Sequence, residues 1–161
     1  MNSKIKDLLK DKKSILVFDV DGVLAPIEYG EYNHYCVDDE ECARQIESGI
    51  DVYSNVKPIK TMQDFLKNKN MDNIYVITLV MNNKEFLQKL TFLRKNYNIK
   101  EENCYMVFKE RDKLLLLNEI KEKYPDLEDK YIVFVEDTVN NLSYVMKNSN
   151  YSTVHISSFM Q

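Results

Sequence analysis

Apolar residues fall along this chain in short, nearly unbroken runs, separated by stretches in which they recur at helical spacing. Five runs read as strands: "SILVFDV" (14 to 20), "NIYVITLV" (73 to 80), "CYMVF" (104 to 108), "YIVFVE" (131 to 136) and "YSTVHI" (151 to 156). Runs of this length without polar interruption suit a parallel sheet buried on both faces. Between them, residues 59 to 69, 83 to 97, 112 to 123 and 138 to 148 carry apolar side chains three and four apart, as in Phe86, Leu87, Leu90, Leu93 and Tyr97. That spacing predicts helices with one buried stripe. Strands alternating with helices predict an α/β fold, a three-layer α/β/α sandwich around a doubly wound, mainly parallel, Rossmann-like sheet.

Residues 22 to 57 break the pattern. They hold all three glycines (Gly22, Gly30, Gly49), the rings of Tyr29, Tyr32, His34, Tyr35 and Tyr53, and the acidic run "VDDEEC". This segment reads as a flap or small cap leaving the end of the first strand, with a short helix around Glu40 to Glu47. At 161 residues and 44% hydrophobic content, the chain predicts a single domain that buries roughly 70% of its unfolded surface. A net charge of -4 with lysines and acids interspersed leaves no evident basic face, which disfavours bulk attraction to nucleic acid. Cys36, Cys42 and Cys104 form no C-x-x-C pair, so neither a zinc knuckle nor a disulfide framework is indicated. The opening "MNSKIKDLLKDKKS" is interrupted by charges, and no apolar run approaches the length of a membrane span. The expectation is a cytoplasmic protein with no membrane partner.

The first strand ends in an unusual way, with Asp19 and Asp21 directly behind its apolar run. In open α/β sheets the ligand crevice lies at the carboxyl ends of the strands. A two-residue spacing sends both side chains to the same side of an extended chain. "YIVFVEDTVNN" brings Glu136 and Asp137 to that edge, so four carboxylates are expected to converge. Two such charges 4 Å apart repel by about 4 kcal/mol at an effective dielectric of 20, which a divalent cation would relieve. An all-oxygen donor set suits Mg²⁺. His34 and His155 have no paired ligand spacing for zinc. A calcium loop starting at Asp19 fails because Leu24 and Gly30 stand where glycine and glutamate are needed. The three glycines match neither a dinucleotide fingerprint nor a triphosphate-binding loop, but Gly22 suits a reversal with positive φ.

These residues carry a resemblance. "FDVDGVLA" is similar to the first motif of the haloacid dehalogenase superfamily of phosphotransferases, an apolar strand followed by D-x-D-G. "YVITLV", with Thr78, resembles the second motif; Lys113, opening "DKLLLLNEI", resembles the third; "VFVEDTVNNL" resembles the fourth. The likeness runs from residue 14 to about 156. It implies an Mg²⁺-dependent phosphomonoester hydrolase working through an aspartyl-phosphate intermediate. Asp19 would be the nucleophile and Asp21 the general acid and base. Asp19, the backbone carbonyl of Asp21, and Asp137 would hold the metal, with Glu136 in its outer shell. Thr78 and Lys113 would contact the phosphoryl group. Lys109, directly behind "CYMVF", competes with Lys113 for the third motif. Glu136 stands where the family commonly has Asp or Gly, and Asn141 where a second Asp is common.

The first and fourth motifs also resemble the 3'-phosphatase module of phage-type polynucleotide kinases. Expected substrates therefore range from a phosphorylated small molecule or nucleotide to a nucleic-acid 3'-phosphate end. Readings of another class are a signalling receiver domain, which also joins acids, Thr and Lys in a doubly wound fold, and a catalytically silent phosphate-binding module. Neither the second nor the third apolar run ends in the aspartate that a receiver would phosphorylate.

Overall fold

The structure is a computed structural model and describes residues 3 to 26 and 39 to 160. Each apolar run forms a strand, trimmed by one to three residues: β1 (Ile15–Phe18), β2 (Ile74–Leu79), β3 (Cys104–Val107), β4 (Ile132–Glu136) and β5 (Ser152–His155). All neighbouring strands pair in parallel, in the order β3-β2-β1-β4-β5. Successive side chains of a strand point to opposite faces, and each face has its own apolar layer. Leu16 and Phe18 pack with Val76, Val133 and Val135 on one side, and Ile15 and Val17 with Ile77, Ile132 and Phe134 on the other.

Helices cover both faces. The first layer receives Leu9 of α1 (Ser3–Lys10), Met62 and Leu66 of α3 (Lys60–Leu66), and Phe92, Leu93 and Tyr97 of α4 (Asn83–Tyr97). The second receives Leu117 and Ile120 of α5 (Lys113–Glu122) and Val145 of α6 (Val139–Asn148). The three-layer sandwich expected from the pattern is thus the observed architecture. Two points differ in detail. The amino-terminal stretch, read only as too charged for a leader, forms α1. On α4, Leu87 is 61% exposed although it belongs to the expected apolar stripe, and the inward positions are Glu85, Lys89, Phe92, Leu93 and Tyr97.

Sheet order fixes where a site can form. From β1 the chain builds outward through β2 to β3, then returns to place β4 and β5 on the other side of β1. The carboxyl ends of β1 and β4 therefore flank a topological switch point, where side chains from two strands can meet over an open crevice. Just beyond β1, the Asp19 N–H donates to the Val135 carbonyl at 3.0 Å, which carries the pairing to the crevice.

Between β1 and α3 the excursion begins at residue 22, and α2 (Asp39–Glu47) matches the short helix expected there. Tyr29, Gly30, Tyr32, His34, Tyr35 and Cys36 lie outside the described residues. The returning limb is tied down: Val52, Tyr53 and Val56 are buried in the first layer, and Gln88 of α4 donates to the Ile50 carbonyl and accepts from the Val52 N–H. The Leu24 carbonyl accepts from the Ile59 N–H at 3.1 Å and from the Tyr97 hydroxyl at 2.6 Å, joining the two ends of the excursion. Cys42 and Cys104 are both buried. Among the described residues, no helix is long and apolar enough to cross a membrane.

Candidate active site

Sequence and backbone geometry combine first at the end of β1. The strand stops at Phe18, and the Val20 carbonyl accepts from the N–H groups of Val23, Leu24 and Ala25, closing a tight turn with Gly22 at φ +73°. Asp19 and Asp21 are therefore not successive same-side positions of an extended strand, and the expected convergence of four carboxylates is corrected. Asp19, Glu136 and Asp137 have oxygens within 4.8 Å of one another, whereas the Asp21 carboxylate turns to a second cluster. Two buried lysines divide the acids between them.

The first cluster forms around Lys113, the opening residue of α5. Its Nζ lies 2.9 Å from Asp19 Oδ2, 2.8 Å from Glu136 Oε2 and 2.9 Å from Glu110 Oε2. Three carboxylates use the three hydrogens of this ammonium. Burial lowers the proton affinity of Lys113, but Asp19 and Glu136 outweigh it and hold the group well above the ordinary lysine range. Burial likewise raises Asp19, and although Lys113 opposes it, the nearby Glu136 and Asp21 charges help push this carboxyl up to about 7. Glu136 is also raised, mainly by burial and against the pull of Lys113.

Glu136 is fully committed within the protein. Its Oε1 accepts from the N–H groups of Asp137 and Thr138, and its Oε2 accepts from Lys113 and Asn141. Asn141 also bridges to Glu110 at 2.7 Å, so the residue that stands where a second Asp is common serves as a hydrogen-bond donor. Asp137 is half-buried; its Oδ1 accepts from the Thr138 hydroxyl, and its backbone carbonyl meets His155 Nε2 at 2.7 Å. Lys109 is exposed just beyond β3. Lys113 alone of the two competing lysines contacts Asp19.

The second cluster was not legible as a site. Lys89 of α4 is completely buried; its Nζ lies 2.7 Å from Asp21 Oδ2, 2.8 Å from Glu85 Oε1, 3.1 Å from Thr78 Oγ1 and 2.6 Å from the Leu79 carbonyl. Burial pulls Lys89 down, yet Asp21 and Glu85 hold it above the ordinary lysine range. Tyr53, arriving on the excursion's returning limb, donates its hydroxyl to Asp21 Oδ1 at 2.7 Å. Thr78 is completely buried, accepting from Lys89 and facing the Leu79 carbonyl. Its hydroxyl belongs to the Lys89 cluster, and the expected contact with a substrate phosphoryl oxygen is not presented to solvent. A helical projection of α4 would have placed Glu85 and Lys89 on the face of Phe92, Leu93 and Tyr97, which was the available signal.

Two ammonium groups thus serve five carboxylates, Asp19, Asp21, Glu85, Glu110 and Glu136, and Asp137 beside Asp19 and Glu136 adds a sixth acid. The surplus of negative charge, the hard oxygen donors and the half-buried Asp137 beside Asp19 fit a magnesium-like cation. Gly22 contributes space: a Cβ at this position would lie 2.1 Å from Asp137 Oδ2.

No protein-family model matches the chain. No curated protein matches it either. Among solved structures, the HAD domain of the effector protein Lem4 from Legionella pneumophila is similar at a TM-score of 0.46 and 12% identity, over 88% of this chain and 84% of that one.

Proposed function

We propose that the protein is a haloacid-dehalogenase-like phosphomonoester hydrolase in which Asp19 is the nucleophile. The observation that carries this reading is Lys113 Nζ at 2.9 Å from Asp19 Oδ2 and 2.8 Å from Glu136, at the switch point of a parallel sheet whose first strand ends in FDVDG. An aspartate so held meets the requirement for a positioned attacking oxygen with fixed positive charge beside it.

In the first half-reaction an Asp19 carboxylate oxygen bonds to phosphorus, the ester P–O bond breaks, and Asp21 delivers its proton to the departing alkoxide. In the second, Asp21 takes a proton from water, the water oxygen bonds to phosphorus and the Asp19–phosphate bond breaks. The sum is phosphomonoester plus water giving alcohol plus phosphate. Lys113 compensates negative charge on Asp19 and on the entering phosphoryl group throughout. Asp19, Asp137 and the backbone carbonyl of Asp21 would hold Mg²⁺, with Glu136 orienting the Asp137 and Thr138 backbone from the outer shell. Bound there, Mg²⁺ supplies charge neutralisation between anionic nucleophile and anionic phosphate.

The receiver-domain reading loses ground on topology. Receivers follow the strand order 2-1-3-4-5, whereas β1 here lies between β2 and β4, and β3 is an edge strand ending at Val107. The proposed substrates are a phosphorylated small molecule or nucleotide, or a nucleic-acid 3'-phosphate end. The test is turnover of p-nitrophenyl phosphate, glycerol phosphate and a 3'-phosphorylated oligonucleotide, with Mg²⁺ and with chelator. Turnover should require Mg²⁺, and an acid-quenched reaction should trap phosphate on Asp19. Asp19→Asn should abolish both; full activity in that variant would overturn the covalent mechanism.

A further inference from the structure

We propose that Lys89 and Tyr53 are positioning residues for Asp21: together they fix its carboxylate for acid–base work, and Tyr53 links that orientation to the returning limb of the excursion. The inference rests on the phosphatase reading and adds two residues that no motif contains.

The geometry makes a two-point clamp. Tyr53 Oη holds Asp21 Oδ1 at 2.7 Å and Lys89 Nζ holds Oδ2 at 2.7 Å, so both oxygens are directed and the carboxylate plane is set. Neither holder is loose. Tyr53 is buried, with its ring 6.1 Å from that of Phe92, and the backbone beside it is hydrogen-bonded to Gln88. Lys89 is completely buried, and its four acceptors exceed the three hydrogens of an ammonium. It therefore has no donor left for a substrate phosphate, and it acts through the Asp21 carboxylate that it holds. Asp21 remains 30% exposed in its side chain, enough to meet a leaving group or a water.

Glu85 explains why the lysine stays in place. It lies four residues before Lys89 on the same helix, and its second oxygen accepts from the Met81 N–H at 2.8 Å, so Lys89 is fixed from α4 and from the end of β2 at once. Thr78 and the Leu79 carbonyl complete that anchorage. Two elements and the excursion therefore agree on one orientation of one carboxylate. Orientation errors on the scale of 1 Å cost on the order of 100-fold in rate.

The experiment uses the full chain with Mg²⁺ and compares wild type, Tyr53→Phe, Lys89→Met, Asp21→Asn and the Asp21→Asn/Tyr53→Phe double variant. Substrates are glycerol phosphate, with a poor leaving group, and p-nitrophenyl phosphate, with a good one. Rapid quenching measures the phosphorylation burst and the phosphoenzyme level. In Tyr53→Phe, kcat for glycerol phosphate should fall roughly 10- to 100-fold at little change in KM. The p-nitrophenyl phosphate burst should persist, and phosphoenzyme should accumulate. Lys89→Met should act in the same direction. Adding Tyr53→Phe to Asp21→Asn should cost nothing further, because the group being positioned is already lost.

A merely structural role would scale burst, turnover and both substrates together. A wild-type ratio of the two substrates in Tyr53→Phe with no accumulated phosphoenzyme, or losses that multiply in the double variant, would overturn the inference. Tyr53→Phe keeps the ring and its packing, so it decides the question even if Lys89→Met does not fold. If wild type turns over neither substrate, or Asp19→Asn retains full turnover, the phosphatase reading fails and this inference fails with it. A normal wild-type burst leaves only the positioning roles at stake.

Discussion

A methyl group added at Gly22 would meet Asp137 Oδ2 at 2.1 Å, on a backbone already at φ +73°. Gly22→Ala therefore combines a left-handed conformation, costing roughly 1–2 kcal/mol, with displacement of a proposed metal ligand. Calorimetric titration should show Mg²⁺ affinity reduced at least about tenfold, a change of about 1.4 kcal/mol; unchanged affinity would remove Asp137 from the metal site. At Lys113 the consequence is electrostatic. Removing this cation leaves Asp19 and Glu136 buried together, and breaking a buried pair costs about 3–5 kcal/mol of stability. Lys113→Ala should also lower kcat by about 10²–10³. Lys109→Ala, at an exposed position, should change stability by no more than about 0.5 kcal/mol. The reverse ranking in denaturant melts and turnover would transfer the third motif to Lys109.

Among the elements, α4 carries the most consequence because it delivers Glu85 and Lys89 to the crevice. Its first turn is capped by Asn82, whose Oδ1 accepts from the Glu85 N–H at 3.0 Å. Asn82→Ala should cost about 1 kcal/mol and lower Tm by about 3 °C, measured by scanning calorimetry. The same helix shows what could be read from sequence and what could not. Its bounds coincide with the periodic stretch 83 to 97, and each strand lies inside its apolar run, since an uninterrupted aliphatic run has few alternatives to burial in a parallel sheet. The motif residues Asp19, Glu136, Asp137 and Lys113 likewise come together at one edge. Lys89 escaped notice because Glu and Lys four apart on a helix ordinarily form a solvated pair, and its burial depends on Asp21 and Thr78, which are distant along the chain. The direction of the Asp21 carboxylate is hidden for a related reason. An alternating-side rule holds only while the chain is extended, and β1 ends at Phe18, before either aspartate.

At the scale of the whole molecule, folding concentrates acids at one edge of the sheet and leaves Asp19 raised from 3.8 to about 7. Between those values the folded protein retains a proton that the unfolded chain has lost. The resulting contribution to stability is fully present below about pH 4 and disappears as pH rises through 7. Mg²⁺ competes with that proton, so the gain in Tm on adding it should be larger at pH 8 than at pH 6. At 100 times the Kd the gain is about 2.7 kcal/mol; thermal melts with Mg²⁺ and with chelator across this range check the trend. Equal gains at both pH values would mean that no proton is displaced. The joining of Leu24 to Ile59, reinforced by Tyr97, has a different kind of consequence. Because the two feet of the excursion are fastened to each other, β1 does not register how much chain lies between them, so long as the limb that carries Tyr53 is kept. Doubling the length of such a closed loop costs only about 0.6 kcal/mol. Extra segments could enter at the exposed turn around Gly49, which has no neighbouring atoms within 4 Å of an added Cβ, without disturbing β1. Chain length near Gly49 is thus free to change, whereas the limb from Val52 onward, which carries Tyr53 to Asp21, is not.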